Sequence, residues 1–208
     1  MRIVDLFAPR NCVFCGASSE KNEKSICRAC YDDLPWNEPA VSTEQSTFAC
    51  SIAMLHYSFP VDVAIKNLKF SRKLFYAPAF SELLCAALPL LPKDIDAVLP
   101  VPLHWRRKMM RGFNQASELA KPVAKTLNVP LVLGVVRRKS TPFQSGLNAA
   151  ERARNLRRAF NVSAMVSYRH VLIIDDVVTT GATTQALGAV LQVAGVQRIS
   201  VLAVARAG

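Results

Sequence analysis

The clearest hydrophobic pattern lies near the end of the chain. Residues 171–174 read Val-Leu-Ile-Ile, an apolar run without alternation. Such a run predicts a strand that is buried on both faces, as in a parallel sheet. A helical pattern follows, in apolar residues three and four positions apart: Leu187, Val190, Leu191 and Ala194. Gly195 suits the end of this helix, and residues 198–205 form a last apolar strand. Strand, helix and strand at these spacings predict parallel strands joined by right-handed crossovers.

The middle of the chain continues the alternation of strands and helices. Residues 48–59 suit a strand or hairpin arm, and residues 61–70 and 77–88 carry helical patterns. Residues 97–102 predict a buried strand that leaves the sheet, because its two prolines cannot continue a central strand. A helix is expected from Arg111 to about residue 127.

Two further features belong to this middle part. Asn114 is the candidate N-cap of the helix that ends near residue 127. Residues 131–136 are expected to form the second strand of the core, since Pro130 just ahead of them suits a strand start.

Polar residues cluster where the strand at residues 171–174 should end. Asp175 and Asp176 come first, followed by a loop of small and hydroxyl residues: Thr179, Thr180, Gly181, Ala182, Thr183 and Thr184. A small-residue loop that feeds a helix N-terminus can hold a phosphate, because its N–H groups converge and the helix dipole favours an anion. The carboxylates could bind ribose hydroxyls or a hydrated magnesium ion. The alternative is an ordinary turn with solvated acids. We favour the ligand site, because open α/β sheets bind ligands at the carboxyl ends of their strands.

Length and composition restrict the class of protein. The 208 residues, 51% of them hydrophobic, suit one core domain and a small appendage. We expect the appendage and its linker in residues 1–40 and the core domain in residues 41–208. No apolar run is long enough to span a membrane, so membrane insertion is not expected, and the first ten residues do not resemble a signal peptide. The expected location is the cytoplasm.

Four cysteines predict a metal site in the appendage. Cys12, Cys15, Cys27 and Cys30 form two Cys-x2-Cys pairs with eleven residues between them. Four thiolates complete a tetrahedral zinc site and leave no position open for water, so a structural role is expected. An iron centre has the same ligands, and a pair of disulfides is the remaining alternative, which a cytosolic location disfavours.

The positive charge of the chain is concentrated in one window. Residues 105–158 hold thirteen Lys and Arg and two acids, an excess equal to the whole net charge of +11. This field would attract a polyanion: a pyrophosphate-bearing substrate, nucleic acid, or both. A smaller basic cluster, Lys66, Lys69, Arg72 and Lys73, would either contact phosphate or form a solvated helix end.

Residues 171–184 resemble the phosphoribosyl-pyrophosphate signature of type I phosphoribosyltransferases: four apolar residues, two acids and a Thr-Thr-Gly loop. The resemblance implies a type I phosphoribosyltransferase core that binds phosphoribosyl pyrophosphate with magnesium. It places Val101 and Pro102, in the loop after the strand at residues 97–102, beside the pyrophosphate. Arg106 and Arg107 would face the same anion.

The resemblance also assigns a mobile lid to residues 138–150. Lys139 and Gln144 would be the contacts of this lid with the diphosphate. Its closure would exclude water from a sugar cation that hydrolyses easily.

A narrower resemblance covers nearly the whole chain. Pro-Val-Pro-Leu at the strand exit, then Arg111-Gly-Phe-Asn114-Gln, then Gln144 and Arg152-x-x-Asn, are similar to the ComF/GntX-type phosphoribosyltransferase-like proteins, which share the four-cysteine knuckle. This resemblance implies substrate-binding roles for Arg111, Asn114 and Arg152. It also implies a link to DNA uptake in natural competence, and so to the DNA-uptake machinery.

Two hypotheses of function follow. The chain is either a possible phosphoribosyltransferase, with Asp175 and Asp176 as catalytic residues, or a non-catalytic module on the same fold. Such a module would bind single-stranded DNA or sense a nucleotide precursor. The sequence names no base-recognising residue, so an acceptor substrate is not assigned.

Overall fold

The computed structural model describes residues 11–18, 25–38, 47–137, 160–162 and 168–208. Its strands, in chain order, are β1 (Cys50–His56), β2 (Ala97–Pro100), β3 (Val135–Arg137), β4 (Phe160–Val162), β5 (His170–Val178) and β6 (Arg198–Arg206). β1, β6, β5 and β2 form a parallel sheet in that order, and β3 and β4 form an antiparallel pair. The predicted parallel sheet is therefore confirmed.

Helices cover both faces of this sheet. The helices are α1 (Arg28–Asp32), α2 (Val61–Phe70), α3 (Tyr76–Ala86), α4 (Trp105–Arg111), α5 (Gln115–Leu127) and α6 (Ala182–Val193). On one face, Leu172 and Ile174 of β5 share a buried cluster with residues of α2, α3 and α5. On the other face, Val171 and Ile173 pack with Leu187 of α6. This alternation explains why residues 171–174 contain no polar position.

Two sequence expectations need correction. β5 does not end before the acids, because Asp175 and Val177 pair with Ala203 and Ala205 of β6 and extend the strand to Val178. Asp175 and Asp176 are therefore inside the strand.

The second correction concerns residues 131–136, which do not form a core strand. Leu131 touches β2 through a single parallel bridge to Val98, and the chain then leaves the sheet to form β3. The expectation fails because the local pattern does not show that this pairing stops after one bridge.

The cysteine segment packs directly on the core. Ser25 binds Glu82 of α3 twice: its N–H donates to Oε2 at 2.9 Å and its hydroxyl donates to Oε1 at 2.7 Å. Residues 34–38 then run along β1, where Trp36 forms a bridge to Leu55. Cys12 and Ile26 belong to the same buried cluster as the α3 residues.

No helix of the described residues is long and apolar enough to cross a membrane.

Loss of the Ser25–Glu82 contact should destabilise the protein without removing its metal. We expect Glu82→Ala to lower the free energy of unfolding by about 1 to 3 kcal/mol, because two hydrogen bonds to a carboxylate are lost. Zinc content should stay unchanged, since Glu82 is no metal ligand. Thermal unfolding and metal analysis measure both quantities.

The matched control is Glu118→Ala on α5, which breaks only an exposed pair with Lys121. Equal melting temperatures for the two variants would contradict the docking role of Glu82.

Candidate functional site

A hollow at the carboxyl end of β5 contains most of the predicted loop residues. Its lining consists of Asp175, Val177, Val178, Thr179, Gly181, Ala182, Thr183 and Thr184. α6 begins at Ala182, so the N–H groups of its first turn open towards the hollow and have no earlier helical turn to pair with. The first turn holds no acidic residue. This end of α6 is suited to an anion.

Gly181 determines how the loop enters the helix. Its φ of +72° lies in the left-handed region, which residues with a Cβ rarely adopt. The Thr184 hydroxyl donates to the Gly181 carbonyl at 2.8 Å, and Thr180 Oγ1 accepts from the Ala182 N–H at 3.4 Å. The hydroxyl residues therefore hold the loop backbone in place, in addition to making the loop polar.

Asp175 is buried beside this loop. Its residue is 9% exposed, and its Oδ1 accepts the N–H of Asp176 at 2.9 Å. Burial raises the pKa of the Asp175 carboxyl well above its usual range, and the negative charge of Asp176 adds to the rise.

Asp176 has a different environment. Lys69, on α2, places its Nζ 2.6 Å from Asp176 Oδ2, and the two side chains are 18% and 4% exposed. Asp176 therefore pairs with a residue of α2, whereas Asp175 lines the hollow at the loop, and the charges of Asp176 and Lys69 both act on the Asp175 carboxyl. The sequence left two alternatives for Lys69, a phosphate contact or a solvated helix end, and the structure gives a third: Lys69 binds one of the two acids.

Arg111 adds a second cation near Asp176. Burial lowers the pKa of the Arg111 guanidinium, and the Asp176 charge acts against this shift. The guanidinium lies 4.9 Å from the centre of the Phe70 ring and donates to Gln115 Oε1 at 3.0 Å. Arg111 is thus held at the same edge of the sheet as the acids.

Asn114 joins the strand exit to α5. Its Oδ1 accepts the Ala116 N–H at 3.2 Å, which confirms the predicted N-cap, and its Nδ2 donates to the Val101 carbonyl at 3.1 Å. Val101 itself donates its N–H to Ile174 of β5 at 2.9 Å, and both Val101 and Pro102 are buried. These residues therefore place the start of α5 next to β5.

Arg106 and Arg107 lie in a helix that the sequence did not predict. They belong to α4, whose N-cap is His104: the imidazole Nδ1 accepts the Arg106 N–H at 3.3 Å. Both arginines are exposed, and the Arg106 guanidinium lies 5.4 Å from the Trp105 ring centre. Three predicted site residues, Lys139, Gln144 and Arg152, fall outside the described residues.

The four cysteines meet as the sequence predicts. Their sulfurs lie within 4.8 Å of one another, and Cys15 Sγ is 3.7 Å from Cys27 Sγ. Four sulfurs around one zinc ion are about 3.8 Å apart, given a Zn–S bond of about 2.3 Å, so this donor set fits zinc.

The backbone around Cys12 favours the thiolate form of this one cysteine. Gly16 makes the expected tight turn with a φ of +74°. Although burial opposes the shift, backbone hydrogen bonds from Cys15, Cys27 and Phe14 lower the pKa of Cys12 to about 6.

A second polar cluster lies at the opposite end of the sheet. His170 Nε2 is 2.8 Å from Ser200 Oγ, and His170 Nδ1 is 3.0 Å from Asp94 Oδ1. The set looks like an Asp-His-Ser triad, but Ser200 is 0% exposed and no substrate reaches its hydroxyl. This network is structural, and it ties β5 to β6.

The two adjacent acids should respond to substitution in opposite ways. Asp176→Asn leaves the Lys69 ammonium without its partner and should lower the free energy of unfolding by about 3 kcal/mol. Asp175→Asn removes a carboxyl whose folded pKa is raised, so its stabilising effect relative to the wild type should grow as pH rises. Thermal unfolding of both variants between pH 5 and pH 9 measures this difference.

The sign follows from linkage: an acid with a raised folded pKa stabilises the fold below its unfolded pKa and loses that contribution as pH rises through the folded value. If the stability of Asp175→Asn and that of the wild type changed equally with pH, the environment assigned to Asp175 would be wrong.

Comparisons with known domain families agree with both parts of the chain. A model of the phosphoribosyl transferase domain matches residues 114–208, and a model of the double zinc ribbon domain matches residues 3–41. Among solved structures, adenine phosphoribosyl transferase from Trypanosoma brucei is 16% identical, with a TM-score of 0.40 over 64% of this chain and 53% of that one.

Full-length relatives carry the stronger likeness. Competence protein F of Haemophilus influenzae is 34% identical over 161 residues, which cover 73% of this chain and 70% of that protein. DNA utilization protein YhgH of Escherichia coli (strain K12) is also 34% identical over 161 residues, 74% of this chain and 71% of that protein. The chain has a type I phosphoribosyltransferase core and a four-cysteine zinc ribbon, and it belongs to the ComF/GntX-type, or competence protein F, family of phosphoribosyltransferase-like proteins.

Proposed function

We propose that this protein binds phosphoribosyl pyrophosphate with magnesium and acts in DNA uptake during natural competence. The observation that supports ligand binding is the hollow in which the N-terminus of α6, the Thr-Thr-Gly loop and Asp175 meet. The names of the relatives, a competence protein and a DNA utilization protein, support the biological role. Cytoplasmic location and contact with the DNA-uptake machinery belong to the same proposal.

Each part of the ligand has a candidate binding region. The 5-phosphate would accept hydrogen bonds from the N–H groups of residues 179–183, and the ribose hydroxyls would bind the Asp175 and Asp176 carboxyls. Magnesium, when bound, supplies positive charge to the diphosphate. The four cysteines are the one group of three or more possible metal ligands among the described residues. Magnesium keeps several waters and needs only one or two carboxylates beside substrate phosphates, so the diphosphate oxygens would hold it while Asp175 and Asp176 bind its waters.

A transfer reaction on this ligand would need an acceptor. A nitrogen nucleophile would form a bond to the anomeric carbon while the bond from that carbon to the diphosphate oxygen breaks, and the nitrogen proton would leave to solvent. Arg106, Arg107 and Lys139 would neutralise the departing diphosphate. Catalysis would then consist of positioning and charge stabilisation.

A second function is supported by α4. Its exposed side chains include an aromatic ring next to consecutive cations: Trp105, Arg106, Arg107 and Lys108. Trp105 is 52% exposed, although the Arg106 guanidinium lies over its ring. Bases stack on such rings, and cations neutralise the backbone phosphates. We therefore propose single-stranded DNA binding as the alternative, with the ligand hollow serving as a nucleotide-precursor sensor.

Ligand binding should depend on the backbone of Gly181. Gly181→Ala forces a Cβ into a left-handed conformation, so the loop should reorganise and the Kd for phosphoribosyl pyrophosphate should rise at least tenfold. Calorimetric titration in the presence of magnesium measures this change.

Gly195→Ala is the matched control, because Gly195 also has a left-handed φ, +99°, but lies beyond the far end of α6 with no atom near an added Cβ. Both variants bear similar backbone strain. Equal affinities for the two variants would contradict the proposed phosphate site.

DNA binding should depend on α4 and on salt. The double variant Arg106→Ala/Arg107→Ala should lose two phosphate contacts, so the slope of log K against log salt for single-stranded DNA should fall by about 1.4. Fluorescence anisotropy with an oligonucleotide at several salt concentrations gives this slope.

Lys121→Ala/Lys125→Ala removes the same charge from exposed positions of α5 and should leave the slope near that of the wild type. The alternative function fails if both double variants change the slope equally, or if wild-type affinity does not respond to salt.

A further inference from the structure

Lys69 lies outside the residues that the phosphoribosyl transferase domain model covers, yet it makes the tightest side-chain contact to the acid pair among the described residues. Its Nζ and Asp176 Oδ2 are 2.6 Å apart, and both side chains are largely withdrawn from water. We propose that Lys69 is a positioning residue that fixes the Asp176 carboxylate for pentose recognition. This inference rests on the proposed ligand site.

The position of Lys69 is set by the packing of α2. Val61, Ala64, Ile65 and Leu68 of this helix are fully buried. Lys69 follows Ile65 by four positions, so it lies at the edge of the apolar face and next to the sheet. Lys66, by contrast, pairs with Asp62 on the solvent side of the same helix. Only one of these two lysines can therefore reach the acids.

The next residue of α2 supports the same docking. The Phe70 ring lies under the Arg111 guanidinium, 4.9 Å from ring centre to Cζ. Lys69 and Phe70 thus hold one acid and one cation of the site, and the end of α2 forms a wall beside the end of β5. The carboxylate of Asp176 cannot rotate freely while one of its oxygens is bound to a fixed ammonium.

The geometry separates recognition of the sugar from recognition of phosphate. Lys69 is not among the residues that line the hollow at the loop, and neither is Asp176, the acid that it binds. Loss of Lys69 should therefore disturb hydroxyl binding by Asp176 and leave the phosphate cradle intact. Loss of a lysine that bound the phosphate itself would instead weaken both hydroxyl binding and phosphate binding.

The experiment compares two probes on the full-length protein: ribose 5-phosphate and inorganic phosphate, each titrated calorimetrically without magnesium. The wild type should prefer ribose 5-phosphate, and Lys69→Met should reduce that preference about tenfold, because the buried Asp176 carboxylate loses its ion-pair partner. The preference is a ratio of two Kd values. A partly unfolded variant raises both values by the same factor, so the ratio does not depend on stability.

Two further variants complete the design. Lys66→Met removes an equivalent side chain from an exposed pair on the same helix and should keep the wild-type preference. Lys69→Arg keeps a cation beside Asp176 and should restore most of the preference. If Lys69→Met does not fold, Lys69→Arg takes its place in the comparison with the wild type.

The outcomes separate the two proposals. If the wild type binds phosphate but gains nothing from the ribose, or binds neither probe, the proposed pentose site is wrong and this inference falls with it. If the wild type prefers ribose 5-phosphate and Lys69→Met does so equally, only the inference is overturned. The inference is also overturned if Lys69→Met loses affinity for both probes equally at a constant folded fraction. It is overturned as well if Lys69→Arg shows as little preference for ribose 5-phosphate as Lys69→Met.

Discussion

The structure depends on one constraint: β5 is buried on both faces and carries two adjacent carboxyls before its end. The two acids have different partners, since Asp176 pairs with Lys69 and Asp175 lines the hollow at the loop. Asp175 is buried beside the loop, and this burial raises its pKa. Asp176 meets Lys69 at 2.6 Å. A buried charge is costly without a partner, so the position of α2 and the chemistry of β5 are linked.

The site accordingly draws on the whole core. The loop and α6 supply the converging N–H groups, α2 supplies Lys69, and the end of α4 supplies Arg111. The bridge from Asn114 to Val101 holds the start of α5 beside β5. The zinc ribbon supports the site indirectly, through its contact with α3. Ser25 fixes it to Glu82 on α3, and α3 packs in the same cluster as α2. Two family features, a ribbon and a transferase core, therefore form one packed body.

Much of this arrangement could be predicted from the sequence, because the local pattern carries it. The apolar run at residues 171–174 and the Thr-Thr-Gly loop predict β5, the turn and α6, and the cysteine spacing predicts the metal site. The end of β5 could not be predicted, since it depends on pairing with Ala203 and Ala205 of β6. α4 was missed because none of its residues is buried, so it has no apolar periodicity. Lys69 was one of four basic residues in a cluster, and only the packed face of α2 shows which one points inward.

A crystal structure of the protein with phosphoribosyl pyrophosphate and magnesium tests the central claim most directly, that the loop and the two acids form one pentose phosphate site. The account predicts the 5-phosphate within hydrogen-bonding distance of the N–H groups of residues 179–183, with the ribose hydroxyls on Asp175 and Asp176. A ligand bound at the exposed face of α4, with the loop vacant and Asp176 still paired only to Lys69, would contradict it.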